Sequence, residues 1–282
     1  MDSYCLIGNP VAHSKSPWIH ARFAVLTGQS LEYRRQLVPL GGFADAVRAF
    51  RASGGRGCNV TVPFKFEAAA FAGAALTPRA ALAGACNTLR FEPDGKGLLA
   101  DNTDGIGLVR DIEHNGGFRL AAARILLLGA GGAAAGVLGP LIEAGPAALT
   151  VANRTPAKAD ALVHAHQALA ARHGVLLRPA SLDDAGEGYD LVVNGTASSL
   201  AGAQVPVAGR VLRTGALACD MMYGPAAEPF LAWARAQGAQ ARDGLGMLVE
   251  QAAESFALWR GLRPPSAQVL AELRAAQEQP AA

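Results

Sequence analysis

"RILLLGAGGAAAG", residues 124–136, is a short apolar run that passes straight into glycines and then into a series of small residues. The run Ile125–Leu128 reads as a buried strand, and Gly129, Gly131 and Ala134 satisfy the spacing G-x-G-x-x-G/A. In a strand–turn–helix setting each small residue has a task. The first permits the tight turn, the second lets a pyrophosphate approach the backbone, and the third lets the helix pack closely. A helix beginning near Ala133 would aim its free N–H groups at the phosphates. Glycine-rich turns also arise for packing alone, so the context matters. Here a second strand, "ALTVANRT", ends about twenty residues further on, as a nucleotide-binding βαβ unit requires.

The end of that second strand bears on which dinucleotide is bound. A carboxylate there would bond a ribose 2′-hydroxyl. The chain instead has "NRTPAK", with Asn153, Arg154, Thr155 and, one turn into the next helix, Lys158. Two cations without a carboxylate suit a 2′-phosphate. Two partly screened contacts favour NADP over NAD by about one to three powers of ten. Lys158 also has a plain reading as a surface charge.

Outward from this unit, short apolar runs alternate with amphipathic stretches, the pattern of a mostly parallel sheet covered by helices. "YCLIG", "EYRRQLVP" and "GCNVTV" read as strands, with "SPWIHARFAVLTG" and "FADAVRAFRASGG" as intervening helices. Ser16 reads as a helix cap and Gly28 as a stop. "GKGLLADNTD" reads as a shorter strand and "GIGLVRDIEHNGG" as the helix after it. "PAKADALVHAHQALA" is a helix, and "YDLVVNGT" and "GALACDMMY" are two more strands of the nucleotide-binding unit. "GLGMLVEQAAESFALWRG" and "SAQVLAELRAAQ" are helices with no strand of their own. They are expected to return to the first domain, with the tail after Gln277 frayed.

These readings predict an α/β fold of two domains. Residues 1–105 form a three-layer substrate-binding and catalytic domain, residues 106–240 a Rossmann-like NADP-binding domain, and residues 241–282 the returning helices. At 282 residues, half hydrophobic, 17% charged and with a formal net charge of +2, the chain has ample core and no basic block. Nucleic acid and membrane partners therefore gain no support. Cys5, Cys58, Cys86 and Cys219 are far apart and read as reduced, mostly buried thiols of a cytoplasmic protein. His164 and His166 would face different sides of a helix, so no metal is expected. A monomer or a homodimer acting on a small molecule is expected.

Three polar clusters fall at strand ends of the first domain. They hold Ser14, Lys15 and Ser16; then Asn59, Thr61 and Lys65; then Asn87, Asn102, Thr103 and Asp104. Strand ends on one face share a crevice, where ligands bind. Hydroxyls, amides, one ammonium and one carboxylate suit a small, multiply hydroxylated molecule.

"GNPVAHSKSP", "NVTVPFK", "CNTL", "DNTDG", "GAGGA", "NRT" and "DGLGMLVEQA" occur in this order along nearly the whole chain. Together they resemble the shikimate dehydrogenase family, NADP-linked enzymes that interconvert shikimate and 3-dehydroshikimate in aromatic amino acid and chorismate biosynthesis. The resemblance implies Lys65 and Asp104 as the catalytic pair. It implies Ser14 and Ser16, helped by Tyr223, as holders of the substrate carboxylate. Thr61, Lys65, Asn87, Asp104 and Gln251 would contact the ring substituents. The cofactor would lie on Gly129, Ala130, Gly131, Gly132, Ala133, Asn153, Arg154, Thr155 and Lys158, with Met221 and Gly244 near the nicotinamide. Lys158 stands where arginine is expected, Ala135 where a polar or basic residue is frequent, and "NGT" where N-A-T is usual. Relatives that also oxidise quinate often alter the second serine of "SKS" and carry an acidic residue in place of "NRT". Neither change is present.

Oxidising a secondary alcohol sends a hydride to the cofactor and leaves a proton for the protein. An ammonium beside a carboxylate can donate that proton to the ketone, but must lose its own before accepting one from the alcohol. Plain structural readings stand beside the functional ones. Lys65 could be a loop charge, Asp104 a helix N-cap, Ser16 a cap, and Asn59 and Asn87 satisfiers of turn backbone. Tyr223 could be a packed aromatic and Gln251 a polar group on a buried helix face. A quinate/shikimate enzyme of broader specificity and a non-catalytic NADP-binding regulator are the rival readings.

Overall fold

The computed structural model describes residues 1–92, 97–196 and 205–278. In chain order the first elements are β1 (Asp2–Gly8), α1 (Ser16–Thr27), β2 (Leu31–Leu37), α2 (Phe43–Ala52), β3 (Gly55–Val60), α3 (Lys65–Ala72) and α4 (Pro78–Ala83). Then come β4 (Thr88–Phe91), β5 (Leu98–Asp101) and α5 (Asp104–Arg110), with a single π-helical turn over Asp111–Asn115. The nucleotide-binding part follows as β6 (Arg124–Leu128), α6 (Gly132–Glu143), β7 (Ala148–Asn153), α7 (Pro156–His173), β8 (Leu176–Ser181), β9 (Tyr189–Asn194) and β10 (Leu212–Asp220). It ends with α8 (Glu228–Ala236) and β11 (Gln240–Arg242), before α9 (Leu245–Arg260) and α10 (Ser266–Glu278). Of the tail expected to fray after Gln277, Glu278 is the last residue of α10, and residues 279–282 lie outside the described residues.

The chain forms two compact units, Met1–Gly107 with Leu248–Ala282, and Leu108–Met247. α5 leads the chain out of the first unit and α9 brings it back. The returning helices are bonded into the first unit: Arg22 Nε lies 2.6 Å from Glu272 Oε2, and Trp259 Nε1 donates to the Leu89 carbonyl at 3.0 Å. Arg260 also binds Asp2 and Tyr4.

The first unit's sheet has the order β2-β1-β3-β4-β5. β1 runs parallel to β2 and β3, but β4 is antiparallel to both β3 and β5. Four of this sheet's five strands thus run the same way, as expected of a mostly parallel sheet, and β4 alone is reversed, a strand that was not legible in the sequence. β4 has only four residues, so its alternation is too brief to separate from loop. β3 also stops at Val60, short of the expected "GCNVTV", and Thr61 begins a turn closed by the Phe64 N–H. Lys65 is therefore the first residue of α3, a helical position and not a loop one. Ser16 is likewise the first residue of α1; Lys15 occupies the cap position, while Ser14 Oγ accepts the Ser16 N–H at 3.2 Å.

The second unit is an all-parallel sheet of order β11-β10-β9-β6-β7-β8. Its strand order reverses between β6 and β9, the topological switch point of a doubly wound sheet. β8, β11 and α8 were not legible in the sequence. β8 is an edge strand carrying Pro179, and β11 has three residues.

All four cysteines are free and buried. Among the described residues no helix is long and apolar enough to cross a membrane, and no three acidic, histidine or cysteine side chains gather as metal ligands.

His20 of α1 is fully buried in an aromatic cluster. Its ring stacks on Tyr33 at 4.2 Å and lies 5.3 Å from Trp259. Burial pushes the imidazole down to about 3 against a small opposing pull from Asn59. Below the ordinary value of 6.5 the unfolded chain takes up a proton that the folded chain refuses. The native state therefore holds this stability above pH 6.5 and loses about 1.4 kcal/mol per pH unit as pH falls towards 3. In urea titrations at pH 7 and pH 5, wild type should lose about 2 kcal/mol more than His20→Phe. Equal losses in the two proteins would contradict this.

Candidate active site

The first unit gathers its polar residues where the strands end. Lys65, in the first turn of α3, places Nζ 2.5 Å from Asp104 Oδ2, with both side chains largely sheltered from solvent. Asp104 opens α5, but it is not the cap expected as its plain reading. Asn102 Oδ1 accepts the Asp104 N–H at 3.1 Å, which frees the Asp104 carboxylate to face Lys65 and Asn87. Asn102 is itself held by donating to the Ala85 carbonyl at 2.9 Å.

Asn87, between α4 and β4, is almost wholly buried. The orientation of its amide can be worked out from its neighbours. A backbone N–H can only donate, and the Thr103 N–H lies 2.9 Å from one amide atom, so that atom is Oδ1. Nδ2 then faces Asp104 Oδ1 at 2.9 Å and Thr103 Oγ1 at 3.0 Å. Asp104 thus has one oxygen on an amide donor and the other on the ammonium, which fixes the rotation of its carboxylate. Gln251 of α9 joins at the margin: its Nε2 donates to the Leu248 carbonyl at 2.7 Å, and its Oε1 lies 3.4 Å from Asn87 Nδ2.

Ser14 and Ser16 stand together after β1, with Ser14 Oγ donating to Ser16 Oγ at 3.1 Å. The Arg35 guanidinium holds their turn by donating twice to the Ser14 carbonyl, at 2.6 and 3.1 Å. Thr61 begins the turn after β3, where its N–H donates to the Ile7 carbonyl of β1 at 2.9 Å. The first unit therefore brings together Ser14 with Ser16, and Lys65 with Asn87, Asp104 and Gln251. Tyr223 belongs to the second unit, three residues beyond β10.

The support beneath Asp104 has no signature in the sequence. Asp101, the last residue of β5, is buried and accepts from Arg79 Nε at 2.7 Å, Thr77 Oγ1 at 2.6 Å and the Asn102 N–H at 2.8 Å. Burial opposes its charge, yet the Arg79 guanidinium and these donors hold the carboxyl below the ordinary value of 3.8. Its backbone carbonyl accepts the Asn87 N–H. The same residue therefore ties down both ends of the Asn87–Asp104 contact.

The second unit fits a dinucleotide. Gly129, between β6 and α6, has φ of +106°, and a Cβ there would lie 3.0 Å from the Gly195 carbonyl oxygen. At Gly131 a Cβ would meet no atom within 4 Å, so the backbone faces open space. Gly131 is also the cap of α6 and provides no side-chain acceptor, which leaves the helix N–H groups free for phosphate. Ala130 completes that turn, and Gly132 and Ala133 open α6. Asn153 ends β7 and donates to the Thr155 carbonyl at 2.9 Å, shaping a short loop in which Arg154 and Thr155 are exposed, with Lys158 exposed in the first turn of α7. Met221 follows β10, bonded to the Asn194 carbonyl at the end of β9. Gly244 approaches it so closely that a Cβ would lie 2.3 Å from the Met221 carbonyl oxygen. Ala135 is buried in α6 and so presents no group to a phosphate.

Three family models match the chain. The shikimate dehydrogenase substrate binding domain covers residues 6–89, the shikimate/quinate 5-dehydrogenase domain 112–205, and the shikimate 5′-dehydrogenase C-terminal domain 244–274. A shikimate dehydrogenase (NADP(+)) of Methylibium petroleiphilum is 66% identical over 98% of this chain and 95% of that protein. The protein of the same name from Acidovorax sp. is 62% identical over 98% and 96%. Among solved structures, shikimate 5-dehydrogenase of Thermus thermophilus in complex with NADP(H) and shikimate superposes with a TM-score of 0.85. It is 33% identical, over 98% of this chain and all of that one.

Proposed function

The chain belongs to the shikimate dehydrogenase family, and from that premise we propose that it interconverts shikimate and 3-dehydroshikimate with NADP as hydride carrier. The observation that carries the reading is the Lys65–Asp104 pair, 2.5 Å apart and sheltered among amides and hydroxyls that suit a polyhydroxylated ring. When bound, NADP⁺ takes the hydride from the carbinol carbon, and the protein handles the proton.

In ketone reduction the Lys65 ammonium donates its proton to the developing alkoxide. In alcohol oxidation Lys65, once neutral, accepts the hydroxyl proton. Asp104 keeps Nζ in line in both directions, since its other oxygen is held by Asn87. Ser14 and Ser16 present hydroxyl donors for the substrate carboxylate, with Tyr223 assisting. Thr61, Asn87 and Gln251 contact the ring hydroxyls. Arg154, on the loop after β7, and Lys158, in the first turn of α7, are exposed where a 2′-phosphate would meet them, with Asn153 and Thr155 shaping that loop. Residues 1–105 and the returning helices of 241–282 serve the substrate, and residues 106–240 together with Gly244 the cofactor, in a cytoplasmic monomer or homodimer.

Initial rates with shikimate or quinate, each with NADP⁺ or NAD⁺, test the assignment. Shikimate with NADP⁺ should exceed every other pairing by at least about tenfold, given two exposed cations for the 2′-phosphate. Comparable rates with quinate would move the protein to the broader specificity, and comparable rates with NAD⁺ would remove the role given to Arg154 and Lys158. Folded protein that binds NADP⁺ but turns over neither acid would be a regulator on the same fold.

A further inference from the structure

Ser255 lies on α9, four residues after Gln251 and so on the same helix face, and it is fully buried. Its hydroxyl meets three other elements: Thr88 Oγ1 at 2.8 Å on β4, Asn59 Nδ2 at 3.0 Å on β3, and Thr103 Oγ1 at 3.2 Å in the loop before α5. It also lies 3.1 Å from its own helix's Gln251 carbonyl. No sequence motif marks it, and it does not reach the reacting pair.

Hydrogen accounting gives this cluster a direction. Asn87 Oδ1 can only accept, so the proton of Thr88 Oγ1, 2.9 Å away, is committed to it. Thr88 Oγ1 must then accept from its other neighbours, Ser255 Oγ and Asn59 Nδ2. Ser255 Oγ carries one proton, shared between Thr88 Oγ1 at 2.8 Å, its shortest contact, and the Gln251 carbonyl at 3.1 Å, which can only accept. Asn59 is held in the required orientation because the Tyr33 hydroxyl donates to its Oδ1 at 2.8 Å. One chain of donors thus runs from Ser255 through Thr88 and Asn87 to Asp104, and Asp104 faces Lys65.

We propose that Ser255 is a positioning residue for proton transfer, fixing the Asn87 amide through Thr88 and thereby aiming the Asp104 carboxylate at Lys65. The proposal rests on the reading of Lys65 and Asp104 as the reacting pair. Without the Ser255 hydroxyl, Thr88 loses a donor and its own proton is free to turn away from Asn87. Asn87 then holds Asp104 in a wider range of rotations. The geometry needed at the moment of transfer suffers more than the resting contacts that hold substrate.

The test compares Ser255→Ala, Ser255→Thr and the near-isosteric Thr88→Val with wild type and Lys65→Ala, by steady-state kinetics on the full chain. Ser255→Ala should lower kcat about tenfold, with the KM for shikimate within about threefold of wild type. Thr88→Val should behave the same way, and Ser255→Thr, which restores a hydroxyl, should recover most of the rate. Should Ser255→Ala fail to fold, Thr88→Val reads the same chain at its next link. Wild-type kcat in folded Ser255→Ala or Thr88→Val would overturn the proposal, as would a loss seen in KM alone. If Lys65→Ala retained full turnover, the reading of the pair itself would fall. An inactive Lys65→Ala beside a normal Ser255→Ala would sink only the role of Ser255.

Discussion

Lys65→Ala should lower kcat for shikimate oxidation by about two to four powers of ten, the usual worth of a positioned acid–base group. The KM for shikimate should move far less. The groups that would hold the substrate stay in place: Ser14 is fixed by Arg35, Ser16 by Ser14, and Asn87 by Thr103 and Thr88. Lys65→Arg should not restore the rate. Arginine keeps the positive charge against Asp104 but stays protonated throughout, so it cannot take a proton from the alcohol. Steady-state rates of nicotinamide reduction decide the matter. A Lys65→Ala protein with near-normal kcat would remove Lys65 from the chemistry and leave it only the structural ion pair with Asp104.

Arg79→Ala should have the largest effect on stability. Asp101 is only 2% exposed and would be left with the Thr77 hydroxyl and the Asn102 N–H, with no cation beside it. Removing one member of a buried pair costs about 3–5 kcal/mol, and the lower end applies because the Arg79 side chain is 27% exposed. The pH dependence follows from the direction of the Asp101 shift. A carboxyl held below its ordinary value contributes stability above about pH 3.8, and that contribution fades as pH falls through this region. The gap between wild type and Arg79→Ala should therefore be widest near neutrality and narrow in acid. Asp101→Asn in the Arg79→Ala background should recover part of the loss, since it removes the uncompensated charge. Denaturant titrations at neutral and acid pH would measure this, and a gap below about 1 kcal/mol at pH 7 would contradict it.

The parts of the molecule legible in the sequence are those where local pattern and tertiary structure agree. The run from Arg124 to Gly136 reads as strand, turn and helix because each small residue there answers a backbone requirement, and Gly129 does adopt the positive φ that its place demands. Short elements were not legible. Thr88–Phe91 alternates too briefly to mark an antiparallel strand, yet that strand carries Thr88 and immediately follows Asn87. Helix starts were misread where side chains were already committed elsewhere. Ser16 and Asp104 have the composition of caps, but Ser14 and Asn102 supply the acceptors and leave Ser16 and Asp104 free to face other groups. The pairing of Lys65 with Asp104 came from the resemblance, whereas the residues beneath it did not. Arg79 meets Asp101 across 22 positions of sequence and Thr88 meets Ser255 across 167, and single polar residues on apolar elements carry no pattern of their own.

The account rests most heavily on Lys65 and Asp104 acting as one unit, and a double-mutant cycle tests that directly. kcat for shikimate oxidation with NADP⁺ would be measured in wild type, Lys65→Ala, Asp104→Asn and the double variant. If Asp104 serves the reaction by holding Lys65, the double variant should turn over within about threefold of Lys65→Ala alone. If the two losses multiply, each residue acts independently of the other, and the shared proton-transfer role assigned to the pair is wrong.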